Sequence, residues 1–182
     1  LPLAGRPSVD QTGVCHEPAT LGVPPDIETA VSPLEGAAFG TLMVDSTVVP
    51  NGPVSKPIAV HFRDGRIVSI EGGNDAVQLT NLLNSYADPN VFCPVELGVG
   101  MNPKAVSTRL DVEAEAEAGS VHIGLGEGRT FGSSIRAKAH VDLVLKAPTL
   151  ELDGKVVLQN KDFVIDNHKL KLGEGGAIEC RD

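Results

Sequence analysis

Strict alternation of side chains in three separate stretches constrains this chain more than any other feature of its sequence. In "PVELGVGMNP", Val95, Leu97, Val99 and Met101 alternate with Glu96, Gly98, Gly100 and Asn102. In "GSVHIGLGEG", Val121, Ile123 and Leu125 alternate with Ser120, His122, Gly124 and Gly126. In "AKAHVDLVL", Ala139, Val141, Leu143 and Leu145 point one way, and His140, Asp142 and Val144 the other. A period of two belongs to a β-strand, whose successive side chains face opposite sides. Each stretch therefore predicts a strand with an apolar face for the core and an opposite face bearing an imidazole or a carboxylate. In two of them glycines leave room beside that group. A weaker fourth case, "DIETAVSP", puts Glu28, Ala30 and Ser32 on one side after a Pro-Pro dipeptide.

Residues 1–36 are rich in Pro and Gly and predict an extended, turn-rich opening segment with at most short strands. From Thr41, "TLMVDSTVV", "PIAVHF" and "IVSI" predict a meander with a hairpin at Asp64 and Gly65. "TLELDGKVVLQN" predicts another, turning at Asp153 and Gly154. A helix is predicted over 74–85, where Ala76, Leu79, Leu82 and Leu83 recur at helical spacing behind Asn74 or Asp75 as N-cap. "DVEAEAEAG", residues 111–119, reads as a second helical turn or an acidic loop, with Glu113, Glu115 and Glu117 on a solvated face. The expectation is an α+β fold: a β-rich single domain over residues 1–182, with mixed or antiparallel strands and one or two helices. Aromatics make up only 3% of the chain, so its core must rest on Val, Leu, Ile and Ala.

A formal charge of -9 repels phosphate backbones and anionic lipid, which argues against nucleic-acid and membrane partners and favours a cation such as a metal ion. No apolar run of about 18 residues and no signal-peptide pattern is present, so a soluble, cytoplasmic protein is expected. The chain starts at Leu1 rather than Met, which leaves room for a segment upstream. Cys15, Cys93 and Cys180 are odd in number and widely spaced, and predict free thiols rather than a disulfide framework or a zinc knuckle. His16, His61 and His168 lack the strand context of the other two histidines and read as surface or core residues. "GLGEGRTFG" lacks the Lys and the following helix that a phosphate loop needs.

The patterned strands together offer Glu28, Glu96, His122, His140 and Asp142 as candidate metal ligands. Taken singly, each reads as a hydrogen-bonded or solvent-facing residue, and His140 with Asp142 as a structural pair. The repeated plan favours a shared site. Mixed nitrogen and oxygen donors suit Zn, Co, Mn or Fe(II) better than Ca or Mg. Three carboxylates would neutralise most of a two-metal centre, with one of them bridging ions about 3.5–4 Å apart.

At these residues the chain resembles the aminopeptidase T-type (thermophilic) metallo-aminopeptidases, in their C-terminal metal-binding domain. The resemblance rests on "GRPSVDQTGVCHEP", "PDIE", "ELGVGMNP", "GSVHIGLG" and "HVD", whose order and spacing agree over nearly all of the chain. It implies that Glu28, Glu96, His122, His140 and Asp142 are dinuclear metal ligands, with a Glu also accepting a proton, and that the protein is a homodimer. The chain departs from that family at Ile27, where a Gly is usual, and in the segment after "HIGLG", where Arg129 and Phe131 stand instead of a Tyr. The family's N-terminal α/β domain has no counterpart here.

The resemblance leads to a truncated relative that handles a peptide at a retained metal-type site with weak or no turnover, such as recognition of a precursor peptide in natural-product maturation. The first alternative is a working metallo-aminopeptidase, with Glu96 taking a proton from the attacking water and Arg129 or a metal holding the oxyanion. The second is a mononuclear Fe(II) dioxygenase using His122, His140 and Asp142 as a facial triad, since that family has ring-cleaving dioxygenase relatives. A structural dimer module with a dead site is the third.

Overall fold

Alternation and turn chemistry produce strands where they are expected. The computed structural model describes residues 1–19, 22–106, 111–165, 168–172 and 178–181. In chain order, β1 (Ser8–Gln11), β2 (Glu28–Val31), β3 (Gly40–Val44), β4 (Thr47–Val49), β5 (Gly52–Pro53), β6 (Ile58–Arg63) and β7 (Arg66–Glu71) lead to helix α1 (Asn74–Ser85). Then follow β8 (Pro94–Gly100), helix α2 (Asp111–Ala116), β9 (Val121–Gly126), β10 (His140–Leu145), β11 (Thr149–Leu152), β12 (Lys155–Gln159), β13 (Asp162–Ile165), β14 (His168–Leu172) and β15 (Ile178–Arg181). The opening segment holds only two short strands, as anticipated. Asp64–Gly65 and Asp153–Gly154 turn their hairpins with positive φ at both residues, the geometry of a two-residue I′ turn.

The strands form a seven-stranded sheet in the order β1-β2-β8-β9-β10-β4-β5, a three-stranded sheet β3-β6-β7 and a five-stranded meander β11 to β15. Every pairing between named strands is antiparallel. The result is the β-rich α+β architecture read from the sequence.

The core gathers the apolar face of the large sheet. Leu97, Val121, Ile123, Leu125, Val141 and Leu143 join Val44, Ile58 and Val60 of the small sheet and Ala76, Leu79 and Leu83 of α1 in one buried cluster. Burying each Leu or Ile side chain contributes about 1.5–3 kcal/mol. One face of β8, β9 and β10 is thereby committed to the core. The residues between, including Glu96, His122 and Asp142, must look the other way.

Helix α1 spans the predicted residues, but its start differs. Gly73 occupies the N-cap position without a side-chain cap. Asp75 is drawn off instead by the β5–β6 connection, accepting hydrogen bonds from the backbone N–H of Ser55 at 2.8 Å and of Lys56 at 3.2 Å. Cys15 and Cys93 are free thiols, one exposed and one buried. The side chains of His168 and Cys180 lie outside the described residues. Among the described residues no helix is long and apolar enough to cross a membrane.

Candidate metal centre

The cross-strand register brings the five candidate ligands to one place. Glu96 of β8 and Asp142 of β10 both stand opposite Gly124 of β9, so the two carboxylates flank a glycine. One same-face row along, His122 of β9 stands opposite Gly98 of β8, and a further row along Glu28 of β2 stands opposite Gly100. A Cβ at Gly98 would lie 2.0 Å from His122 Nε2, so the ring lies over that glycine and reaches across β8. A Cβ at Gly124 would lie 2.6 Å from both Glu96 Oε2 and His140 Nε2. Glycine is required at both positions because another residue's donor atoms occupy the space.

Two groups of ligand atoms result, and Glu96 belongs to both. His122 Nε2 lies 3.2 Å from Glu28 Oε2 and 3.3 Å from Glu96 Oε1. His140 Nε2 lies 3.0 Å from Glu96 Oε2 and 3.0 Å from Asp142 Oδ1. Within each group, Glu28–Glu96–His122 and Glu96–His140–Asp142, one donor atom per residue lies within 4.8 Å of the others. The groups differ in access. The His140 side chain is 27% exposed and Asp142 11%, against 1–3% for Glu28, Glu96 and His122. The first group is thus an inner position and the second an outer one.

Electrostatics mark the place as built for a cation. Arg6 pairs with Glu35, Arg129 with Glu127 and Lys161 with Glu117, and among the described residues no Lys or Arg pairs with the five. Burial pushes Glu28 up to about 7, with the His122 charge working against it and the Glu96 and Asp26 charges adding to it. Burial opposes charge on both imidazoles, yet neighbouring carboxylates outweigh it. The hydrogen bond and charge of Glu96 raise His122 to about 10, and the charge and hydrogen bond of Asp142, with those of Glu96, raise His140 to about 11. Asp142 is held low because the His140 charge overcomes its burial.

The hydrogen bonding of His140 sharpens the point. Its Nδ1 lies 2.7 Å from the Glu127 carbonyl, which can only accept, so Nδ1 carries a proton. In the neutral ring Nε2 is then a lone pair facing two carboxylate oxygens at 3.0 Å. Three acceptors meeting at one point require a proton or a metal ion between them, so this donor set fits a divalent cation. His122 Nδ1, by contrast, is buried without a hydrogen-bond partner among the described residues.

Arg129 is not drawn in. It lies on a 3-10 turn at Arg129–Phe131 with its side chain 69% exposed and its Nε 2.9 Å from Glu127 Oε1. Its neighbour Phe131 is buried, with its ring centroid 5.5 Å from that of His140. His140 and Asp142 are grouped with Glu96, and His122 with Glu28 and Glu96, so Glu96 stands between the three residues read as a facial triad.

Two acidic residues absent from the sequence-based set add to the site's charge. Asp26 is buried with Oδ1 unpartnered among the described residues, and burial raises it to about 6, against His122 and together with Glu96 and Asp142. Glu115, expected on a solvated face, is half-buried on α2 with Oε2 buried, and its carboxyl shares a hydrogen bond with Asp142. Burial and the Asp142 charge raise it to about 9. Helix α2 packs on β4, β8 and β10, which turns Glu115 toward the sheet instead of water. Asp26 was legible: it stands two residues before Glu28 and so shares its face in an extended chain.

Comparison with known proteins bears on what such a site does. Residues 1–165 match the family profile described as NicX: 2,5-dihydroxypyridine 5,6-dioxygenase. The chain is 26% identical over 175 residues to the 2,5-dihydroxypyridine 5,6-dioxygenase of Pseudomonas putida KT2440, covering 90% of this chain and 50% of that relative. The solved structure of the dihydroxypyridine dioxygenase of that strain is similar with a TM-score of 0.79 at 26% identity, over 87% of this chain and 49% of that one. The chain spans about half the length of the relative it matches. These matches overturn the aminopeptidase T resemblance, and with it the reading as a truncated metallopeptidase that handles a precursor peptide. The motifs that carried the resemblance encode the sheet face and its glycines, which specify a fold and not a reaction.

Proposed function

The chain belongs to the 2,5-dihydroxypyridine 5,6-dioxygenase family, and from that premise we propose that it binds a catalytic divalent metal, iron(II) by the family's chemistry, and serves the dioxygen-dependent opening of a dihydroxylated aromatic ring. Glu96, His140 and Asp142 would hold the ion at the outer position, and Glu28, Glu96 and His122 an ion at the inner one. The observation that carries this reading is the outer group, where an imidazole and two carboxylates converge without a balancing Lys or Arg among the described residues while His140 keeps an open edge. Bound iron(II) supplies the one-electron chemistry that ground-state dioxygen and a closed-shell ring need in order to react.

The chain's own residues do the rest. Glu96 and Asp142 concentrate negative charge that fixes a cation, and the Glu127 carbonyl orients the His140 ring. Phe131, buried beside His140, keeps water from that flank. A proton released by a ring hydroxyl can be held at Asp26 Oδ1, which is buried, has no hydrogen-bond partner among the described residues and has raised proton affinity. The test is anaerobic loading with Fe(II) followed by dioxygen and 2,5-dihydroxypyridine. Expected are oxygen uptake and loss of the ring's absorbance, both abolished in His140→Ala. Fully loaded protein that takes up no oxygen with this or another dihydroxylated ring would sink the reading.

A further inference from the structure

The contacts around His140 assign a role to a residue outside the ligand set. Glu127 follows β9, and its main chain bonds the start of β10 and the residue before it: its N–H donates to the Ala139 carbonyl at 2.8 Å, and its carbonyl accepts from His140 Nδ1 at 2.7 Å. Its carboxylate spans the loop that follows. Oε2 accepts from the Ala137 backbone N–H at 3.0 Å, and Oε1 from the Arg129 backbone N–H at 3.2 Å and Arg129 Nε at 2.9 Å. One side chain thereby ties both ends of the 127–137 loop, which also carries the Phe131 ring beside His140.

We propose that Glu127 is a positioning residue: its carboxylate clasps the 127–137 loop so that its own carbonyl holds His140 in the Nδ1–H tautomer and presents the Nε2 lone pair to the metal. The pairing of a ligating imidazole with an acceptor behind it raises ligand basicity and fixes ring orientation. Arg129 then acts on the site only through Glu127. His122, whose Nδ1 has no partner among the described residues, has no such support, so the clasp is specific to the outer position. The inference rests on the reading of His140 as a metal ligand.

The test combines calorimetric Zn2+ titration with nitrogen-15 NMR of the Zn2+-loaded protein labelled at histidine. In the parent, His140 should show a protonated Nδ1 and a metal-bound Nε2. Glu127→Ala should weaken Zn2+ binding at the outer position by about 10–100-fold, the usual cost of losing such support, and give mixed tautomers at His140 with the His122 signals unmoved. Glu127→Gln keeps an acceptor for Arg129 but none for Ala137, and should fall between. Arg129→Ala should stay within about fivefold of the parent, the ceiling for an exposed ion pair. Should Glu127→Ala fail to fold, Glu127→Gln carries the comparison. Parent-like affinity with an unchanged His140 tautomer in the Glu127 variants overturns the clasp alone; a parent that binds no Zn2+ overturns the metal centre as well.

Discussion

Gly124→Ala is the sharpest perturbation of this site, because it adds one carbon atom and removes nothing. The new Cβ would stand 2.6 Å from Glu96 Oε2 and from His140 Nε2, where ordinary contact begins at 3.4 Å. Both atoms must retreat by about 0.8 Å. Metal–ligand distances hold to within about 0.2 Å, so the outer position loses two of its donors. The backbone tolerates alanine, since the φ of Gly124 is not in the left-handed region. Exchanging Gly for Ala in a compatible conformation contributes about 0.4–1 kcal/mol, against about 1–3 kcal/mol for overpacking. His140, the most exposed ligand, can swing aside and relieve part of the latter. The metal-free variant should therefore lose about 1–2 kcal/mol, a fall in Tm of about 2–8 °C for a chain of this size. Its metal affinity at the outer position should drop by about 100-fold or more, beyond the cost of losing an outer-sphere partner. Scanning calorimetry without metal and titration with Zn2+ separate the two effects. Parent-like Zn2+ affinity in a folded variant would refute the placement of Glu96 and His140 over Gly124.

Two further perturbations address charge and stoichiometry. Without metal, Asp26, Glu28, Glu115, His122 and His140 all bind protons more tightly folded than unfolded, at about 6, 7, 9, 10 and 11. The stability each contributes is complete below its unfolded pKa and is lost as pH rises through the folded one, so the metal-free Tm should fall steadily from about pH 5 to about pH 9. Over the same range Zn2+ affinity should rise, by about tenfold per pH unit for each displaced proton. A metal-free Tm that climbs with pH contradicts the sign. Glu28→Gln should cost the inner ion and Asp142→Asn the outer one, so metal analysis should find two ions per parent chain and one in each variant; equal metal content in all three contradicts the two-position arrangement.

What the sequence conveyed follows from how local each feature is. Strands β9 and β10 were legible because alternation is a property of consecutive residues, and the hairpins at Asp64–Gly65 and Asp153–Gly154 because two residues suffice to set such a turn. Convergence of Glu28, Glu96, His122, His140 and Asp142 was legible too, since polar groups repeated on the non-core faces of neighbouring strands have one sheet surface to share. Features that depend on tertiary docking were not. Glu115 looked solvated among its neighbours Glu113 and Glu117, and only the packing of α2 over β8 and β10 turns it toward the cluster. Asp75 looked like a helix cap, and lost that role to the Ser55 and Lys56 amides twenty and nineteen residues away. Arg129 was drawn toward the reaction because it stands in the segment where the resembled family has a Tyr, whereas its guanidinium faces Glu127 on an exposed turn. The assignment of reaction failed for a related reason. Motifs such as "ELGVGMNP" and "HVD" specify a sheet face, its glycines and its polar groups, and a face of that kind does not by itself name a reaction. The surroundings of that face come from Asp26 before β2, from Glu115 on a short helix and from the loop beside His140, none of which carries a periodic signal, so the setting of the site is the least legible part of the chain.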